Sequence, residues 1–301
     1  MLVSVIVITY NSSPYVLETL ESAYWQTYPD LELIVSDDCS TDNTFALCQE
    51  WVSAHASRFR HAICTQTPRN LGIAGNENHA LQYVHGTWLR MMGGDDLLKE
   101  DCIATFMSHL AKGIHLYFSQ AERWEMATGQ RYVVETGLPN ATARRQFYVL
   151  LHRDADILGC TTFVHVATLR QVGGYDERFP FADDVGLAMR FLAHGMASRS
   201  IPFVTTTWRK HATSTSDSNP AFRNSVHNLY QHYRRQYYWS RLVFLDAYHD
   251  WCCQWINRHY HAGLVPHAVG YILRGIDVVH WKRRLFPHVC MKRYPIEAAM
   301  K

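Results

Sequence analysis

The chain opens with Val3-Ser4-Val5-Ile6-Val7-Ile8-Thr9, a nearly unbroken β-branched run. Such a run suits a strand covered on both faces, as in a parallel sheet. The turn-forming residues Tyr10-Asn11-Ser12-Ser13-Pro14 follow, and they predict a helix to about Thr27 with Ser13 as N-cap and Pro14 at its first position. The alternation then repeats. Leu31 to Ser36 reads as a strand that ends in Asp37-Asp38-Cys39-Ser40-Thr41-Asp42, with a helix expected over about 43–57. His61 to Thr67 reads as a third strand, 70–84 as a loop and helix, and Thr87 to Met92 as a fourth strand. This β-α-β-α-β-α-β order predicts an α/β fold with a parallel sheet flanked by helices. Open sheets of that kind bind ligands at the carboxyl ends of their strands. That edge would gather Thr9, Tyr10 and Asn11, then Asp37 and Asp38, Arg69 and Asn70, and Asp95 and Asp96.

The fourth strand runs into Gly93-Gly94-Asp95-Asp96. The glycines permit a sharp turn and close approach of a ligand. Paired carboxylates at such a place suit a hard divalent ion, Mg²⁺ or Mn²⁺, shared with phosphates. The alternative is structural: Leu97 to Lys112 has a helical pattern, which the two aspartates would cap.

The second half is less regular. Ile114 to Ser119, Arg131 to Glu135 and Phe203 to Trp208 read as strands, Ala141 to Leu151 as a helix, and Gly159 to His165 as extended. Val172-Gly173-Gly174-Tyr175-Asp176 reads as a turn. Asp183 or Asp184 then caps a helix whose apolar face is Val185, Leu187, Ala188, Phe191 and Leu192. From about Pro220 the chain turns helical and aromatic-rich.

Composition adds bounds. With 301 residues, 48% hydrophobic and 19% charged, the chain can bury a real core in one large or two modest domains. A net charge of +2 gives no reason to expect nucleic acid. The charge is unevenly spread: from Phe222 onward twelve Lys/Arg face four Asp/Glu, so the tail is +8 and the remainder −6. Eight cysteines form no C-x-x-C pair or regular framework, which favours a reducing compartment. No signal-peptide pattern and no apolar stretch of membrane-spanning length is present in the sequence. Neither G-x-G-x-x-G after the first strand nor G-x-x-x-x-G-K-[ST] occurs, which argues against a Rossmann dinucleotide site and a P-loop.

Taken in order, the motifs resemble the inverting glycosyltransferases of family 2, which have the GT-A fold. The resemblance covers roughly residues 2–216. It rests on the opening strand with Thr9-Tyr10-Asn11, then Ser36-Asp37-Asp38-Cys39-Ser40-Thr41-Asp42 where the family usually has Asp-Asp-Gly-Ser-Thr-Asp. Next come Arg69-Asn70-Leu71-Gly72, Gly94-Asp95-Asp96 in the D-x-D position, Gly173-Gly174-Tyr175-Asp176-Glu177, Asp183-Asp184, and Trp208-Arg209-Lys210-His211.

The resemblance implies a transferase that uses a nucleotide-diphosphate sugar, with a UDP-sugar as the expected donor. It implies that Thr9, Tyr10, Asn11, Asp38, Arg69, Asn70 and Asp95, with Asp37 as second choice, line the nucleotide and donor sugar. It implies that Asp96 and His211 hold Mn²⁺ or Mg²⁺, and that Asp184 is the general base. Asp183, Arg190 and Trp208 would face the acceptor, a glycan or a polyprenyl-diphosphate-linked sugar of bacterial surface polysaccharide. The expected division is 1–96 for the nucleotide half, 97–217 for the acceptor half, and 218–301 for a helical basic extension. That extension suits an anionic membrane surface, with packing on the catalytic domain or a homodimer as the alternative. The chain is accordingly expected in the cytoplasm, peripheral at the inner face of the cell membrane. Rival readings are a dTDP-rhamnose-type transferase, a sugar nucleotidyltransferase, and an inactive nucleotide- or glycan-binding module.

Overall fold

The computed structural model describes residues 1–152, 156–214 and 220–241. Strands β1 (Val3–Thr9), β2 (Leu31–Asp37), β3 (Ala62–Gln66) and β4 (Trp88–Gly93) alternate with helices α1 (Val16–Tyr24), α2 (Thr44–His55) and α3 (Gly72–Leu81). These strands pair in parallel in the order β3-β2-β1-β4. Their apolar runs are covered on both faces: Val3, Val5, Ile6, Val7, Leu31, Leu33, Ile34 and Val35 have no accessible surface. Continuous rather than alternating hydrophobicity is what two covered faces require.

The second half contributes β5 (Leu97–Leu98), α4 (Cys102–Ser108), β6 (Leu116–Glu125), β7 (Arg131–Val134), α5 (Ala143–Leu151), β8 (Thr162–His165), α6 (Val166–Gln171), α7 (Asp183–Ala193) and β9 (Arg199–Lys210). A last helix, α8, spans Pro220–Arg241. One nine-stranded sheet results, in the order β3-β2-β1-β4-β8-β6-β9-β5 with β7 beside β6. Beyond β4 the sheet is mixed: β8 is antiparallel to β4 and β6, β9 is parallel to β6, and β5 is antiparallel to β9. Aromatic stacking locks the junction of the two halves. Phe163 lies 5.2 Å from Trp88 and 4.8 Å from Phe106, ring centre to ring centre and nearly parallel to both.

The chain divides into two units, Met1–Leu229 and Tyr230–Lys301. Of the second, the described residues are the helical turns that end at Arg241. Most of the basic, aromatic extension, and with it the expected membrane-facing role, lies outside the described residues.

Three local expectations are corrected. First, α1 begins at Val16, not Pro14, because the Ser12 carbonyl accepts from both Tyr15 N and Val16 N at 2.9 Å and closes a turn there. The Ser13 side chain caps nothing, and its N–H points to Asp42 Oδ2 at 3.3 Å. Second, 97–112 is not one helix. Leu97 and Leu98 pair with Thr207 and Thr206, Lys99 N donates to Thr205 O at 2.9 Å, and the helix is confined to Cys102–Ser108. Asp95 and Asp96 therefore cap no helix. Third, the cap position of α7 is Ala182, and Asp183 and Asp184 occupy its first turn. Both carboxylates still lie where the helix dipole favours negative charge.

Candidate active site

The strand ends are continued by backbone hydrogen bonds that align one edge. Asp38 N donates to Thr9 O at 2.8 Å, Thr67 N to Asp37 O at 2.9 Å, and Gly94 N to Ile8 O at 2.8 Å. Asp37, fully buried, accepts from Thr9 Oγ1 (2.9 Å), Ser40 N (2.8 Å), Ser40 Oγ (2.5 Å) and Gln66 Nε2 (2.9 Å). Asp38 accepts from Thr67 Oγ1 (2.9 Å), Leu71 N (2.8 Å) and Gly72 N (2.9 Å). Both carboxylates thus set the shapes of the loops around them. Asn11, with φ +50°, staples two of those loops: its N–H meets Ser40 Oγ at 2.8 Å and its Oδ1 accepts from Thr41 N at 2.9 Å. Tyr10, Arg69 and Asn70 are exposed at the same edge.

Two positions in these loops carry positive φ for identifiable reasons. Gly72, at +77°, turns its N–H into Asp38, and a Cβ there would meet Pro180 Cβ at 3.0 Å. Cys39, at +59°, keeps the left-handed backbone that the glycine usual at this motif position adopts without cost.

At the end of β4 the chain turns through Gly93 and Gly94, and Asp96 N reaches back to Gly93 O at 3.3 Å. A Cβ on Gly93 would fall 2.7 Å from Asp95 Oδ1 and 4.0 Å from Asp96 Oδ2, so the two carboxylates converge over this glycine. His211, on the segment after β9, brings Nε2 to 3.0 Å from Asp95 Oδ2. Its Nδ1 lies 2.9 Å from Thr213 Oγ1, and its ring stacks on Tyr15 at 4.4 Å. His211 thus pairs with Asp95, whereas Asp96 Oδ1 accepts from Arg209 N at 3.0 Å. Burial lifts the Asp96 carboxyl well above the usual range, Asp95 adds to the lift, and Arg209 and Arg90 oppose it. Two carboxylates and one imidazole are the donor types that Mn²⁺ or Mg²⁺ takes, though only the Asp95–His211 pair is within direct contact distance here. A cation there would also offset the repulsion between Asp95 and Asp96.

Asp183 and Asp184, each half-buried, lie at the start of α7. Asp184 Oδ1 accepts from Val185 N at 2.6 Å and Oδ2 from Gly159 N at 3.2 Å. Burial raises Asp184 to about 6 against these two hydrogen bonds. Burial and then the Asp184 charge raise Asp183 to about 8. The two carboxyls are thus both held above the ordinary carboxylate range, Asp183 further than Asp184 because it also feels the Asp184 charge. Arg190 spends its donors elsewhere: NH1 bonds the carbonyls of Gly173 and Gly174 at 2.9 Å and NH2 lies 3.2 Å from Asp176 Oδ2. It positions the Gly173-Gly174 turn. Trp208 is flanked by cations, with the Arg123 guanidinium 4.9 Å and Lys210 Nζ 5.0 Å from its ring centre.

Several residues with central places in this geometry were not singled out from sequence. Arg209, at most 1% exposed, donates to the Asp95 carbonyl, to Glu18 Oε2 at 2.6 Å and to Thr19 Oγ1 at 3.1 Å. Arg90 is wholly buried and bonds the carbonyls of Met91, Thr162 and Cys160 and the Thr206 hydroxyl. Glu77 is buried with Oε2 unpartnered among the described residues, and burial, Asp183 and Asp184 push its carboxyl upward. The sequence signal for Arg90 was a lone charge inside an apolar strand.

A parallel nucleotide-type half-sheet joined to a mixed half, with paired aspartates at the junction, defines a GT-A glycosyltransferase fold. Residues 4–172 match the family described as Glycosyl transferase family 2, and the chain belongs to that family. A curated relative, the UDP-Glc:alpha-D-GlcNAc-diphosphoundecaprenol beta-1,3-glucosyltransferase WfaP of Escherichia coli, is 26% identical over 278 residues, covering 90% of this chain and 97% of its own. The putative glycosyltransferase EpsE of Bacillus subtilis is 25% identical over 197 residues, 64% of this chain and 67% of its own. Among solved structures, S. aureus TarS 1–349 in complex with UDP-GlcNAc superposes with a TM-score of 0.59 at 19% identity, over 76% of this chain and 65% of that one. The mannosyltransferase PcManGT of Pyrobaculum calidifontis, in complex with GDP-Man and Mn²⁺, gives 0.55 at 19% identity, over 99% of this chain and 85% of that one. The protein is thus a glycosyltransferase, related to bacterial enzymes of this class.

Proposed function

We propose that this enzyme transfers a hexosyl group, with inversion, from a UDP-sugar to a lipid-linked or glycan acceptor in bacterial surface polysaccharide synthesis. The observation that carries the reading is His211 meeting Asp95, beside Asp96, at the carboxyl end of β4, across 116 residues of sequence. The UDP-Glc in the name of WfaP and the UDP-GlcNAc bound to TarS favour UDP over dTDP, and the diphosphoundecaprenol in the name of WfaP motivates the lipid-linked sugar.

In this reading Tyr10 stacks on the base, while Thr9, Asn11, Asp37 and Asp38 fix the loops that hold the nucleoside. Arg69 and Asn70 line the same edge. Asp96, His211 and Asp95 would hold Mn²⁺ or Mg²⁺, which would neutralise diphosphate charge and favour its departure. Asp184 accepts the proton of the acceptor hydroxyl as that oxygen bonds to the anomeric carbon and the bond to the diphosphate breaks. One ionised base without a second carboxylate as nucleophile suits single displacement. Asp183 and Trp208 face the acceptor, and Arg190 supports the turn beside it.

Replacing Asp184 by Asn keeps the shape and removes the proton acceptor. The expected result is a loss of turnover by about 10²–10⁴-fold with UDP affinity unchanged. Turnover equal to wild type would remove Asp184 from the mechanism.

A further inference from the structure

A second group of metal-type ligands lies at the opposite end of the same strands. Glu32 is the second residue of β2, and Asp37 is the last. Five residue steps along the strand separate them, about 17 Å at 3.3–3.4 Å per residue. Glu32 is completely buried, yet no lysine or arginine pairs with it among the described residues. Its Oε1 accepts from Ser4 Oγ (2.5 Å), His85 N (2.7 Å) and Gly86 N (2.9 Å), which saturates that oxygen and fixes the carboxylate. Oε2 faces the exposed His85 imidazole, and the exposed His61 lies close by. His85 Nδ1 is 3.1 Å away, and one ring nitrogen of His61 completes a set whose ligand atoms all lie within 4.8 Å of one another. The two rings are 5.4 Å apart at 76°, roughly edge to face.

We propose that Glu32, His61 and His85 form a divalent transition-metal site, separate from the donor site, that takes Zn²⁺ or an ion of similar preference. The distances support it. Ligands bound tetrahedrally at 2.0–2.1 Å stand about 3.3 Å apart, close to the observed 3.1 Å between Glu32 Oε2 and His85 Nδ1. His61 is anchored by its backbone, whose carbonyl accepts from Leu33 N at 2.9 Å, and its ring is exposed. The chemistry supports it as well. Two imidazoles and one carboxylate suit zinc, whereas Mg²⁺ and Mn²⁺ prefer oxygen-rich sets such as that at Asp95 and Asp96. The hydrogen bonds on Oε1 are the outer contacts that orient a ligating carboxylate. Buried carboxylates are ordinarily paired or bound to metal. The bound ion would clip β2, the start of β3 and the turn into β4 together, and would raise the melting temperature by preferential binding to the folded chain.

The test is calorimetric titration of the metal-free full chain with Zn²⁺ at pH 7.5, comparing wild type with His61→Ala, His85→Ala and His211→Ala. Both replaced side chains at the proposed site are exposed, so the fold should survive, and equal melting temperatures in EDTA check this. The expected result is one equivalent of Zn²⁺ that is bound at least about a hundredfold more weakly in His61→Ala and in His85→Ala. That equivalent persists in His211→Ala, and saturation raises the melting temperature of wild type alone among the first three. Zinc binding of equal strength in wild type and both variants, or none in wild type, overturns the site. Neither result bears on the donor-site reading, because UDP affinity with Mn²⁺ is measured separately.

Discussion

At the residue scale, the backbone outcome at Cys39 was not legible from the motif alone. The side chain departs from the family's usual glycine, but φ +59° retains the glycine conformation. The reason is that Ser40 on its far side is held by Asp37 through both N–H and hydroxyl, at 2.8 and 2.5 Å. Cys39→Gly should relieve about 1–2 kcal/mol of steric cost, partly offset by glycine's entropy, for a net gain of roughly 0.5–1 kcal/mol. Thermal melting checks this, and a fall in stability would contradict it. Asp184 gives the second residue-scale prediction. Its carboxyl is raised to about 6, so it must lose its proton to act as base. Turnover should therefore fall as pH drops through about 6, tenfold per unit below it, and Asp184→Asn should show no such limb. A wild-type profile flat from pH 7 to pH 5 would exclude this carboxyl as the titrating base. The aspartates themselves were legible because acidic pairs follow apolar runs. Arg209 and Glu77 were not, because their roles depend on partners far away in sequence.

At the element scale, parallel strands announce themselves and antiparallel ones less so. The mostly apolar runs of β1, β2 and β4, interrupted by Ser4, Glu32 and Arg90, marked buried strands. Leu97-Leu98 read as the start of a helix because two apolar residues have no period, and only pairing with Thr206 and Thr207 makes them a strand. That small strand is what frees Asp95 and Asp96 from capping duty. Helix α7 shows a related limit. Arg190 reads from sequence as a basic residue near the acceptor, whereas its guanidinium holds the carbonyls of Gly173 and Gly174 and the Asp176 carboxylate. Burial works against that carboxylate, but Arg178 and Arg190 keep it at about 2. Arg190→Ala should cost roughly 2–3 kcal/mol, because it strips a mostly buried turn of its charged donor. It should leave UDP affinity near wild type. Unchanged stability with a raised acceptor KM would instead make Arg190 a direct acceptor contact.

At the scale of the whole molecule, the sheet joins two halves with different chemistry. The parallel half ends its strands at Thr9, Asp37, Gln66 and Gly93, and the mixed half returns His211 to the same place through β9. The β-α alternation made the elements of the first half and their parallel pairing legible, though not the order β3-β2-β1-β4. The order β8-β6-β9 was not, since it depends on contacts between segments more than forty residues apart. Buried Arg90 fastens the seam by bonding carbonyls on β4 and at β8 and the Thr206 hydroxyl of β9. Among the described residues no helix is long and apolar enough to cross a membrane.

The proposed function places a donor site for a uridine diphosphate sugar on Asp95, Asp96 and His211. Calorimetric titration of the full chain with UDP tests it most directly, with Mn²⁺ and with EDTA, in wild type and in Asp96→Ala. The expected result is UDP binding that needs the metal and is lost in the variant. UDP affinity that is the same with EDTA, or untouched by Asp96→Ala, would contradict it.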